Sequence, residues 1–220
     1  MLDPMVTPHK PTTTADRPRA LAEIAAVLAT AAIFVVLSEV FRVTRIFIIV
    51  GCCLLWAGYF LARIFAARVK LSHWGIRVDN LRTATAACVA LVVVVVPGIV
   101  VFRLATGGSL ALPPHALVVF GLYTLWALFQ QLFVQALVAD NLRTLGVRPA
   151  AVVFVVAVLF GAAHWPHVSL IGLTALAGAV WALLYFRTPN ILPLSVSHAL
   201  LGMLTYYWIL DRDPWLEIFA

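Results

Sequence analysis

Charge is what this chain lacks. Only 11% of its 220 residues are Asp, Glu, Lys or Arg and 64% are hydrophobic, whereas an ordinary soluble domain carries about 25% charged residues. So little polar surface excludes a water-soluble globule. Cysteine is scarce as well, with 3 in the chain. Cys52 and Cys53 are adjacent in one apolar run and Cys88 lies in another, so neither a Cys-x-x-Cys pair nor a disulfide framework is present and all three read as packing residues. Alternating polarity is missing too: the stretch Leu91 to Val96 is continuously apolar, which excludes the strands of a membrane barrel.

What the chain has instead is length without charge. The runs 84–102 and 116–138, the latter without a formal charge, exceed the roughly 18 to 20 apolar residues that cross a bilayer core. Backbone in lipid must satisfy its own hydrogen bonds, so these runs are helices. The sequence therefore predicts an all-α fold, a polytopic membrane helical bundle of about seven transmembrane helices, near 20–41, 46–66, 84–103, 115–138, 150–165, 168–186 and 191–210. Residues 1–19, rich in Pro and Thr, read as a disordered tail. The bundle spans 20–210, and 211–220 is a short carboxyl-terminal tail. The apolar run from Ala20 to Phe41 has no convincing cleavage pattern and is expected to be retained as a helix. A short element over 71–81 is expected at the cytoplasmic interface, acting in orientation.

The net charge of +6 reads as a topology signal, with no nucleic-acid footprint. With the amino terminus inside, Lys10, Arg17, Arg19, Arg63, Arg68, Lys70, Arg77, Arg82, Arg143, Arg148 and Arg187 share the cytoplasmic side. Arg42, Arg45, Arg103 and Arg212 face the other. That imbalance predicts a multi-pass cell-membrane protein with a cytoplasmic amino terminus and an external carboxyl terminus. Tyr206, Tyr207, Trp208 and Trp215 suit an aromatic belt at the outer end.

Polar groups inside spans carry the functional signal. Gln130, Gln131 and Gln135 lie deep in the fourth span, where each amide costs kcal/mol unless it finds a partner. Gln131 and Gln135 are one helical turn apart on one face, with Gln130 on the flank. His164 at the end of the fifth span and His198 within the seventh are placed to meet that stripe. The bland reading, interhelical glue and satisfied packing histidines, stands beside the functional one. Two histidines with no nearby carboxylate or thiolate fall short of a three-ligand metal site, and no metal or other cofactor is expected. On these depths His164 falls near the outer end of its span, out of level with the glutamines and His198, unless the fifth helix is displaced inward.

In order along the chain these positions resemble the CAAX-protease and bacteriocin-processing family of intramembrane endopeptidases, which includes the Ras-converting type. Where that family shows Glu-Glu-x-x-x-Arg, this chain has Gln130-Gln131-Leu132-Phe133-Val134-Gln135. The family's Phe-x-x-x-His is matched in full by Phe160-Gly161-Ala162-Ala163-His164. Its His-x-x-x-Asn is met by His198 but ends on Gly202. The similarity covers about 74–203. It implies a helical bundle with a site in a membrane cavity, where a glutamate activates water while histidines and an asparagine stabilise the oxyanion. By that resemblance Gln130, Gln131, Gln135, His164 and His198 occupy the catalytic positions, and Phe160 and Gly202 the oxyanion and structural ones.

The departures bear on mechanism. A glutamine amide cannot take a proton from water as a buried glutamate can. Gln135 in place of an arginine matches that loss, because an arginine without its carboxylates would be an unpaired buried charge. Gly202 removes a donor of a kind typically worth about 2.7 to 4 kcal/mol in an oxyanion hole. The expectation is a degenerate relative that binds a membrane-associated peptide or protein tail in protein sorting, processing or immunity. Two alternatives stay open: an active variant protease using His164 or His198 with a glutamine-positioned water, and a small transporter or channel.

Overall fold

A computed structural model of the chain describes residues 16–218 and is helical in most of them, with no strand among the described residues. In order the helices are α1 (Asp16–Val35), α2 (Arg45–Phe65), α3 (Leu81–Ala105), α4 (Ala116–Gln131), α5 (Asp140–Thr144), α6 (Pro149–Ala162), α7 (Val168–Arg187), α8 (Ile191–Leu204) and α9 (Pro214–Ile218). Three π-helical stretches extend them: Val36–Val40 after α1, Leu132–Ala139 joining α4 to α5, and Thr205–Ile209 after α8. Five rods, Asp16–Val40, Arg45–Phe65, Leu81–Ala105, Ala116–Thr144 and Val168–Arg187, are long and apolar enough to cross a membrane by length and composition. Pro149–Ala162 is apolar but shorter. Residues 1–15 of the expected tail lie outside the described residues. Residues 16–19 already belong to α1, and in the expected carboxyl-terminal tail Pro214–Ile218 forms α9.

The apolar rods leave large side chains such as Phe47, Phe65, Val94, Leu117 and Phe154 exposed on their outer faces, as a lipid-facing surface requires. Inside, α8 packs against α4 and α3, and α6 pairs with α7. Pro149 at the first position of α6, after an extended Arg148, starts that helix where a missing N–H costs nothing. Gly178 allows α7 to approach α6: a Cβ there would lie 3.0 Å from the Cβ of Phe160.

Loops tie the helices at both ends. At one end, Asn190 is fully buried and caps α8 by accepting from the Leu192 amide at 3.1 Å. Its Nδ2 donates to the Arg77 carbonyl at 2.8 Å and to Asn80 Oδ1 at 2.9 Å. The Ile191 amide donates to the Gly75 carbonyl at 2.8 Å. Gly75 has φ 74°, and a Cβ on it would lie 2.9 Å from the Tyr185 ring, so both its backbone angle and its neighbours demand glycine. The 71–80 segment is thus more than an orienting element at an interface. Trp74 is 2% exposed and meets the Phe60 ring at 4.9 Å, because α2 offers an aromatic wall that a headgroup region does not.

At the other end His115 Nε2 pairs with Asp213 Oδ2 at 2.7 Å, and Arg103 pairs with Asp211 at 2.8 Å. Of the aromatic residues expected in a belt here, Tyr207 is buried and donates to Asp213 Oδ1 at 3.1 Å, and Trp215 tilts on the His115 ring at 6.0 Å. Within the bundle the carboxylate of Glu23 is almost fully buried and accepts from the Tyr59 hydroxyl and from Asn141 Nδ2 at 2.7 Å. An acid in a span survives only with such partners.

Asn190→Ala should strand the Leu192 amide, the Arg77 carbonyl and Asn80, and lower stability by about 2 to 3 kcal/mol, read by reversible unfolding in mixed micelles. Burial alone would raise the Asp213 carboxyl, but bonds from the Trp215 amide, His115 and Tyr207 outweigh it and hold it below the usual aspartate value. A depressed folded-state value stabilises the fold above the ordinary value near 3.9. That contribution should be lost as pH falls below it, and a melting-temperature series from pH 6 to pH 3 should show Asp213→Asn with a flatter acid limb than the parent.

Candidate functional site

The site grows from the seam between α4 and α8. Gln131, the last residue of α4, is 2% exposed, as is His198 in the middle of α8. Gln131 Nε2 lies 3.3 Å from His198 Nδ1. One turn on, inside the π-helical stretch, the fully buried Gln135 donates from Nε2 to Gln131 Oε1 at 3.3 Å. The amides form a directed chain: Gln135 donates to Gln131, and Gln131 donates to the imidazole. A ring whose Nδ1 accepts carries its proton on Nε2, so His198 presents a donor on its other edge.

Three aromatic rings enclose that imidazole. Trp181 of α7 is nearest, with centroids 4.4 Å apart and planes at 33°. Phe160 of α6 meets it edge-on at 5.3 Å, and Tyr123 of α4 at 5.8 Å. Phe160 also touches the His164 ring at 5.2 Å, so one phenyl group lies against both histidines. His164 follows the end of α6, in a turn that includes the cis Trp165–Pro166 bond, and donates from Nδ1 to the Phe160 carbonyl at 2.7 Å.

The expected mismatch in depth has a physical answer. α6 has 14 residues, so it rises only about 21 Å at 1.5 Å per residue, against a hydrocarbon core of about 30 Å. The helix is shorter than a full span, and Phe160 at its end meets both the His164 ring and the His198 ring. Irregular backbone at depth is tolerated where it lines a protein interior.

Of the sequence-derived positions, the structure joins Gln131, Gln135 and His198 by hydrogen bonds and adds Phe160 and His164 by ring contact. Gln130 stands apart. It is half-buried, and its Oε1 has no hydrogen-bond partner among the described residues. Gly202, one turn beyond His198, faces Tyr123: a Cβ there would lie 2.7 Å from the tyrosine hydroxyl oxygen. Asp140 is turned elsewhere, its Oδ2 accepting from the Tyr185 hydroxyl at 2.7 Å, in keeping with a separation from Gln131 of about 13 Å along the helix. Among the described residues no group of three His, Cys, Asp or Glu side chains is placed to hold a metal ion.

Sequence reasoning misses Trp181 and Tyr123. Both are aromatic residues within a span, away from the interfacial ends where amphipathic rings usually sit, and Trp181 lies three residues past the close-packing Gly178. The Trp181 Nε1 and Gln135 Oε1 atoms are buried without a partner among the described residues. The site therefore keeps an unused donor on the ring that meets His198 and an unused acceptor at the end of the amide chain.

Gln131→Leu leaves a buried imidazole nitrogen unpaired, and His198→Phe leaves the amide unpaired. Each should destabilise the protein, and the double variant should cost less than the sum, with a coupling of about 0.6 to 2 kcal/mol. Nitrogen-15 spectra of labelled histidine should show His198 protonated at Nε2 alone.

No curated protein and no solved structure matches this chain. A family match does exist, and it falls on the segment that supplies every side chain of the site, from Tyr123 to Gly202: residues 112–204 match the family described as type II CAAX prenyl endopeptidase, Rce1-like.

Proposed function

We propose that this membrane protein is a non-hydrolysing relative of the prenyl endopeptidases, which holds a membrane-associated peptide or lipid-modified protein tail at the seam of α4, α6 and α8. One observation carries the reading: the amide of Gln131 donates to His198 Nδ1 at the place where hydrolysis would need a group that accepts a proton from water. A neutral amide chain orients and binds, but it does not deprotonate. The reading in which an imidazole acts as the base falls to His164 alone. His198 Nδ1 is occupied by Gln131, whereas His164, which donates from Nδ1 to the Phe160 carbonyl, keeps Nε2 as an acceptor. The basic residues crowded near the 66–82 and 143–148 loops support an orientation with that end, and the amino terminus, in the cytoplasm. A lipid-anchored tail would then enter from the cytoplasmic leaflet.

Purified protein in nanodiscs should bind a farnesylated peptide ending in Cys-aliphatic-aliphatic-X and leave it intact. Binding should weaken in Gln131→Leu and His198→Phe. Release of the terminal tripeptide by the parent protein, abolished in His198→Ala, would overturn the proposal. Gln130→Glu with Gln131→Glu should not restore efficient cleavage while Gln135 and Gly202 remain, because the acids would lack both a cationic partner and the missing side-chain donor. Rapid turnover by that double variant would show the amide network not to be the block.

A further inference from the structure

His198 is not the only donor that this seam can offer to a ligand. Gly202 has no side chain, and the space beside its Cα is taken by Tyr123, whose hydroxyl oxygen, Cε1 and Cζ would lie 2.7, 2.9 and 3.0 Å from a Cβ at that position. The ring therefore passes over α8 one turn beyond His198, and its edge contact with the imidazole, 5.8 Å between centroids at 64°, holds it there. Tyr123 is on α4, eight residues before Gln131, so the helix that supplies the amide to His198 Nδ1 also supplies this hydroxyl. Within the chain the hydroxyl makes no hydrogen bond among the described residues, whereas other site groups are committed: Gln131 to His198, Gln135 to Gln131 and His164 to the Phe160 carbonyl.

We propose that the Tyr123 hydroxyl is a ligand-binding donor, reaching across Gly202 to hydrogen-bond a backbone carbonyl of the held peptide beside His198. The inference rests on the peptide-holding reading above and deepens it. In this role the tyrosine O–H of α4 joins the Nε2–H of α8 as a second donor, a pair suited to an amide carbonyl and unsuited to a cation. The glycine is the enabling residue, because any side chain at 202 would displace the hydroxyl. A tyrosine that merely filled the space would be replaced without loss by phenylalanine, which has the same ring and the same packing.

The test is a cycle between protein and ligand. Two farnesylated peptides ending in Cys-aliphatic-aliphatic-X are compared, one normal and one with a trans-alkene in place of the amide that follows the cysteine, which keeps the shape and removes the carbonyl. Tyr123→Phe should bind the normal peptide about five- to tenfold more weakly than the parent does, the scale of one hydrogen bond, and should bind the alkene peptide as the parent does. Tyr123→Ala with Gly202→Asn, which returns a donor from α8, should recover part of the lost affinity for the normal peptide alone. Equal losses for both peptides in Tyr123→Phe, or no loss for either, would overturn the role of the hydroxyl while leaving the peptide-holding function standing. Failure of the parent protein to bind the normal peptide would overturn both.

Discussion

The hydrogen bond from Gln131 to His198 is the constraint on which the interior of this protein turns. An unpaired amide or imidazole in a lipid-embedded bundle costs several kcal/mol, so α4 and α8 must meet where these two side chains are, at 3.3 Å. Everything near them is then arranged to keep that contact dry and aligned. Trp181, Phe160 and Tyr123 enclose the imidazole from three helices, and Gln135 holds the far side of the Gln131 amide. The bond joins two helices into a seam and also fixes which edge of the histidine carries a proton. One geometric fact thus links packing to chemistry.

The backbone departs from regular α-helix where this seam needs it. The eight-residue π-helical stretch Leu132–Ala139 begins directly after Gln131, and wide turns of this kind are common where a helix must re-aim a functional side chain. α6 departs in length instead. By ending early it brings Phe160 against the rings of both His164 and His198. Both departures use side-chain partners to offset what the irregular backbone loses.

Much of this architecture is legible in the amino-acid sequence. The scarcity of charge and the unbroken apolar runs dictate a helical membrane bundle, and the glutamines and histidines stand out because lipid penalises them. The pairing of Gln131 with Gln135 follows from helical spacing alone. The depth of His164 is not legible, since the end of α6 is set by how its turn packs against α7 and not by a change in hydropathy. Gln130, equal to Gln131 as a polar residue in sequence, does not share the hydrogen bond to His198, and only three-dimensional packing separates the two. Trp181 and Tyr123 are hidden for a related reason: in an apolar sequence an aromatic residue carries no polarity contrast, so its contact with an imidazole appears only when helices distant in sequence are brought together. Trp74 reads in sequence as part of an orienting element because Phe60, which buries it, lies on another helix.

Glu23 has a consequence for how such a protein can be rearranged. The family-like segment occupies 112–204, yet Asn141 within it donates to a carboxylate on α1, and that same carboxylate is held by Tyr59 on α2. The recognisable segment is therefore not a transplantable module. Recombination that paired it with unrelated leading helices would leave an amide searching for an acceptor in hydrocarbon, and a swap of α1 alone would strand a tyrosine as well. The unit of inheritance in this molecule is wider than the unit of resemblance, and its boundary is drawn by one buried acid.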